Sequence, residues 1–304
     1  MRGFFETLAR ASRLHPRARP EASGLKVTRD VRYGAGAHAR LDVYQPATPG
    51  PWPVVMYVHG GAFRILSKDT HWLMGQLFAK QGYLVFNVEY RLAPQHPFPA
   101  GLSDVSAAYA FVLAEAARWG GDLGRGLVLA GESAGANLVA SLTAMTCFER
   151  PEPFAREVFR CGRVPDAVVP ACGIFQVSDP ERFERRRELP WWLSDRIKET
   201  RDVYLGPSGA ADHTLADPLL LIESAQESAR ALPPFFLPVG TADPLLDDTR
   251  RLAAALERRG VAHEARYYAG ELHAFHALIF RRAARACWAD TFSFLDARLE
   301  ARRG

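Results

Sequence analysis

The stretch Val54-Val55-Met56-Tyr57-Val58 is apolar at every position. Side chains on a strand point alternately to opposite faces, so such a run belongs in a strand covered on both sides. The pattern recurs at residues 84–88, 127–130, 167–169 and 235–239, with a last candidate at 265–268. Longer segments of helical character separate the runs, at residues 70–81, 101–119, 135–149, 246–259 and 276–300. Buried strands alternating with helices predict an α/β protein: a mostly parallel central sheet with helices on both faces. Residues 27–33 and 40–44 are half-polar and read as a pair of early strands.

With 304 residues, 48% of them apolar and 24% charged, the chain can bury a large core and is not compositionally disordered. No run approaches the ~18 apolar residues of a membrane span. Residues 176–232 are rich in Arg, Glu, Pro and Trp, and are too long for a simple crossover, so they read as an insertion over the sheet edge. The net charge is +4, with nine basic against three acidic residues among the first forty. No nucleic-acid motif accompanies this charge, so a nucleic-acid partner is not expected. Phe4, Phe5, Leu8 and Ala11 recur at helical spacing, while Glu6, Arg10 and Arg13 interrupt the apolar stretch that a signal peptide needs. Cys147, Cys161, Cys172 and Cys287 form no C-x-x-C pair, so no metal site is expected from spacing. Free thiols suit a reducing, cytoplasmic setting.

Chemistry concentrates where strands end. Gly131-Glu132-Ser133-Ala134-Gly135 follows the 127–130 run and opens a helix, which is G-x-S-x-G in a strand–turn–helix context. That turn lifts a serine hydroxyl out of the sheet, and the helix N-terminus behind it favours developing negative charge. A serine needs a base, and the base needs an orienting acid. Asp243 and His273 each lie just past a later strand, where ligands of open α/β sheets bind, and their order after Ser133 fits an acid and a base. His276, Asp247 and Asp248 are nearby competitors. After the first buried run comes His59-Gly60-Gly61-Ala62-Phe63. Gly60 and Gly61 can turn backbone N–H groups toward a substrate oxygen, joined by the amide of Ala134.

These residues carry a resemblance. Four blocks, His59 to Phe63, Tyr90 to Ala100 (Tyr-Arg-Leu-Ala-Pro-Gln-His-Pro-Phe-Pro-Ala), Gly131 to Leu138, and Asp243-Pro244-Leu245 with His273-Ala274-Phe275, occur in the order found in the hormone-sensitive-lipase-like carboxylesterases. The chain resembles that H-G-G-G family over residues 59–275. The resemblance implies the α/β-hydrolase fold, a triad of Ser133, Asp243 and His273, and oxyanion donors at Gly61, Ala62 and Ala134. It also implies a helical cap built from residues 1–40 and the insertion at 176–232, on a catalytic domain of residues 41–304. Two positions depart from it: Ala62 stands where the family has a third glycine, and Ala274 where glycine often follows the histidine.

The implied activity is a serine carboxylesterase acting on short- to medium-chain acyl esters, with no cofactor. An amidase or deacetylase with the same triad, and a non-catalytic binding protein on the same fold, are the alternatives. Phe63, Glu132, Trp191 and Trp192 are candidate substrate-pocket residues. The C-terminal helices and strands offer a surface for a homodimer.

Overall fold

The computed structural model describes residues 20–186, 190–206 and 214–300. Phe4, Phe5, Leu8 and Ala11 therefore lie outside the described residues, as does the signal-peptide question. Eight strands form one sheet: β1 (Lys26–Arg32), β2 (Arg40–Gln45), β3 (Val54–Val58), β4 (Leu84–Val88), β5 (Leu127–Glu132), β6 (Ala167–Ala171), β7 (Phe235–Gly240) and β8 (His263–Tyr268). Their spatial order is β1-β2-β4-β3-β5-β6-β7-β8. The β1–β2 and β2–β4 pairs are antiparallel and all other pairs are parallel. Of the segment 1–40, residues 26–32 are thus the edge strand of the sheet.

Nine α-helices lie among the described residues: α1 (Trp72–Lys80), α2 (Ala100–Glu115), α3 (Ala134–Cys147), α4 (Pro153–Arg160), α5 (Arg182–Arg186), α6 (Trp191–Leu205), α7 (Pro218–Glu223), α8 (Leu246–Arg258) and α9 (Arg282–Glu300). Val54, Met56 and Val58 face one packed layer with Leu102, Leu138 and Leu252 from α2, α3 and α8. Val55 and Tyr57 face the other, with Phe78 from α1 and Trp288, Phe294 and Leu295 from α9. This two-sided burial is why the central strands read as unbroken apolar runs. Each fully buried side chain of this size contributes about 1.5–3 kcal/mol of transfer free energy.

Two expectations are corrected. The segment 276–300 is not one helix: a single turn at Phe275–Ala277 precedes a loop, and α9 starts only at Arg282. The left-handed backbone of Ala274 (φ 55°) turns the chain out of β8 into that short turn. The insertion also divides. Asn137 donates from Nδ2 to the carbonyls of Ile174 and Ala216, and Ser141 to that of Leu215, which ties the second half to α3. The first half carries α5 and α6, and α6 borders the C-terminal ends of the strands beside Ser133 and His273.

Candidate active site

Strands β3, β5, β6, β7 and β8 deliver His59, Ser133, Cys172, Asp243 and His273 to one rim of the sheet, each within five residues of its strand's end. Ser133 occupies the turn between β5 and α3 with φ 52° and ψ −115°. A non-glycine residue there carries roughly 1–3 kcal/mol of strain. The surroundings hold it in place: the Ser133 amide donates to the Ala171 carbonyl at 2.9 Å. Two residues on, a Cβ at Gly135 would lie 2.1 Å from the Val58 carbonyl oxygen, so only glycine lets α3 approach β3.

The exits of β7 and β8 are laced together. Ala242 donates to the Glu271 carbonyl, Thr241 to that of Tyr268, and the Gly270 amide to Thr241 Oγ1, at 2.8–3.0 Å. This lacing brings Asp243 and His273 into register. His273 Nδ1 lies 2.9 Å from Asp243 Oδ2, and His273 Nε2 lies 3.0 Å from Ser133 Oγ. Asp243 is fully buried, and its other oxygen accepts the Leu245 amide at 2.8 Å. Burial by itself would lower the pKa of His273. The adjacent Asp243 carboxylate, aided by Cys172, outweighs that and holds the imidazolium well above the ordinary histidine range. The arrangement suits an imidazole that takes the serine proton and is steadied as a cation by the acid.

Opposite Ser133, the loop after β3 carries Gly60, Gly61 and Ala62. Gly61 adopts φ 117°, and a Cβ on it would lie 2.0 Å from the Ile65 carbonyl oxygen. Ala62 and Phe63 follow with φ 52° and 59°. Among the described residues, the amides of Gly60, Gly61, Ala62 and Ala134 donate to no backbone or side-chain acceptor. That leaves them available to an oxygen bound beside Ser133. The loop is braced from behind: Tyr90 Oη donates to the His59 carbonyl at 2.9 Å, and its ring stacks on the His59 imidazole at 4.3 Å.

Ser133, His273 and Ala62 open onto a cavity of about 140 Å³ whose other wall is Ile174 and, from α6, Leu193, Ile197 and Arg196. None of the four candidate pocket residues lines it. Trp191 and Trp192, 81% and 56% exposed, occupy the first turn of α6 and do not border the cavity, which α6 lines with Leu193, Arg196, Ile197 and Thr200. Phe63 is buried and stacks on Tyr204 of α6, centroids 3.7 Å apart and planes 10° off parallel.

Glu132 points under the elbow, where its carboxylate meets His71 Nε2 at 2.7 Å and His276 Nε2 at 2.9 Å. Burial would raise the Glu132 pKa, but the two histidines hold it well below the usual carboxylate range. His71 is lifted in turn, because Glu132 overcomes the lowering effect of burial. The competitors find other work. His276 belongs to this cluster, Asp248 is sealed in by Arg182 and the Phe175 amide, and Asp247 pairs with Arg250. The i, i+4 spacing of Leu193 and Ile197 is the sequence signal that marks the inward face of α6; His71 and Cys172 carry no such signal.

A strained serine at a strand–helix elbow, a histidine and a buried acid at the rim of a parallel sheet define a hydrolase of the α/β class. Residues 55–277 match the family model described as alpha/beta hydrolase fold, and the chain belongs to that family. It is 32% identical to the carboxylesterase NlhH of Mycobacterium tuberculosis over 262 residues, covering 85% of this chain and 78% of that protein. It is 29% identical to the carboxylic ester hydrolase LipN of the same organism over 276 residues, covering 87% and 69%. Among solved structures, a bacterial heroin esterase superposes with a TM-score of 0.78 at 22% identity, covering 99% of this chain and 90% of that one. Among the described residues, no helix is long and apolar enough to cross a membrane.

Proposed function

We propose that this carboxylic ester hydrolase is a serine carboxylesterase of the hormone-sensitive-lipase-like branch, with Ser133 as nucleophile, His273 as base and Asp243 as its orienting acid. The observation that carries this reading is the unbroken Ser133–His273–Asp243 chain at 3.0 and 2.9 Å. His273 Nε2 takes the hydroxyl proton as Ser133 Oγ attacks an ester carbonyl. The amides of Gly61, Ala62 and Ala134 receive the oxyanion, with Gly60 setting the loop's approach. His273 then returns the proton to the departing alkoxide, and water repeats the cycle on the acyl-enzyme.

The cavity of about 140 Å³ sets the size of the group it can enclose. An apolar cavity of about 150 Å³ holds a benzene-sized group, so acyl chains of roughly four to six carbons fit inside, and longer ones extend out of the open cleft. The α5–α6 segment acts as the cap. Leu193 and Ile197 give its inner face apolar area for an acyl chain, beside the polar Arg196 and Thr200.

The test is a series of p-nitrophenyl esters of rising acyl length beside the matching anilides. The expected result is hydrolysis of short esters, little of the anilides, and loss of roughly 10⁶-fold in kcat for Ser133→Ala. Anilides cleaved as fast as esters would make the enzyme an amidase. Unchanged turnover in Ser133→Ala would overturn the assignment.

A further inference from the structure

We propose that Cys172, His273 and Asp243 form a binding site for a thiophilic divalent cation such as Zn²⁺ or Cd²⁺, and that its occupation halts turnover. The catalytic scheme uses no thiol, yet one lies against the catalytic pair. A Cys172 sulfur, an Asp243 carboxylate oxygen and a His273 ring nitrogen all lie within 4.8 Å of one another. The three residues come from the ends of β6, β7 and β8, neighbours in the sheet, so tertiary structure alone assembles the set. This is why the four scattered cysteines display no metal-binding spacing in the sequence.

Cys172 holds a left-handed backbone (φ 41°) and is anchored by its amide to the Pro238 carbonyl at 3.0 Å. The backbone that carries the thiol is therefore fixed before any ion arrives. Cys172 and Asp243 are buried, while His273 is about one-third exposed and borders the substrate cavity, which supplies an entry path.

The donor set suits a borderline-soft ion: one thiolate, one imidazole and one carboxylate, with a fourth position left for water. Tetrahedral bonds of about 2.0–2.3 Å place ligand atoms roughly 3.3–3.7 Å apart. The present Asp243–His273 contact of 2.9 Å must then open by about half an ångström, and a separation at the 4.8 Å limit must close by about one, both by side-chain adjustment. Binding displaces the thiol proton to solvent and takes the imidazole and its acid out of service together.

The inhibition arm rests on the esterase reading, and the binding arm does not. Binding is measured by equilibrium dialysis against CdCl₂ and by the thiolate-to-metal charge-transfer absorption. It is done on Ser133→Ala in a Cys161→Ser background, since Cys161 is the exposed thiol. The expected result is one Cd²⁺ per chain with the charge-transfer band, and affinity at least about tenfold weaker once Cys172→Ala or Cys172→Ser is added. With Ser133 intact, Cd²⁺ and Zn²⁺ inhibit ester hydrolysis and EDTA restores it. Measured against its own metal-free rate, the Cys172→Ala enzyme is not inhibited by the same ion concentration. Equal Cd²⁺ affinity, or equal inhibition, with and without Cys172 overturns the site. A chain that binds Cd²⁺ through Cys172 but hydrolyses no ester upholds the site and removes the esterase reading alone.

Discussion

Phe63 and Tyr204 stack face to face across the boundary between the loop after β3 and helix α6, 3.7 Å from centroid to centroid. Phe63 follows directly on Ala62, so the proposed oxyanion loop and the cap helix share one buried aromatic joint. The joint is reinforced on both sides: the Ala93 amide donates to the Phe63 carbonyl at 2.9 Å, and the Phe98 amide to that of Tyr204 at 2.7 Å. Arg64 and Glu199 add an ion pair at 2.7 Å. The conspicuous Tyr90–Ala100 block thus has a physical role, as a strut that positions loop and cap against each other.

Removing the joint should affect both parts. Tyr204→Ala is expected to lower stability by about 3–5 kcal/mol, the range for truncating a buried aromatic. It should also broaden acyl-chain preference, because α6 loses its anchor beside the cavity. Chemical denaturation and the p-nitrophenyl ester series together check this; a stability loss with unchanged chain preference would show that α6 is held elsewhere.

The cavity wall makes a size prediction. Ile197→Ala enlarges the space beside Ser133 and should raise kcat/KM for an ester two carbons longer by about tenfold relative to the parent's best substrate, the scale of one or two methylenes in an apolar pocket. Trp192→Ala, on the exposed side of the same helix, should leave the preference unchanged. A reversed pattern would restore Trp192 as a pocket residue.

The raised pKa of His273 predicts a pH profile. Only the neutral imidazole can accept the serine proton, so kcat/KM should fall as pH drops through that raised value, with the acidic limb centred above the ordinary histidine value of about 6.5. Asp243→Asn removes the charge that raises it. The limb should then move to lower pH and kcat should drop by about 10⁴. Initial rates in overlapping buffers give both quantities.

The His71–Glu132–His276 cluster predicts pH-dependent stability. Glu132 is lowered, so its contribution is present above the unfolded carboxyl value of about 4.3 and is lost as pH falls through the folded value. His71 is raised, so its contribution is complete below about 6.5 and is lost as pH rises through the folded value. The cluster is therefore worth most between about pH 4.3 and 6.5. His71→Ala leaves a buried carboxylate half-paired and should cost about 3–5 kcal/mol in that window, less at alkaline pH. Denaturation of both proteins at pH 5.5 and pH 9 measures the difference.

The order of strands along the chain, the two-sided burial of β3 to β7, the serine turn and the acid and histidine of the proposed triad were all legible in the sequence. Each rests on a local pattern: apolar runs, small residues around Ser133, polar residues just past a strand. What only the tertiary structure decided is what meets across the rim. Trp191 and Trp192 look like pocket residues by type, yet both are exposed and the cavity is lined from α6 by Leu193, Arg196, Ile197 and Thr200. Glu132 sits beside the nucleophile in sequence but faces His71, sixty-one residues away, beneath it. Cys172 reaches His273 and Asp243 only because β6, β7 and β8 are neighbours in the sheet. Side-chain periodicity is a property of one element, whereas these contacts depend on how separate elements are placed against one another, and no local pattern encodes that.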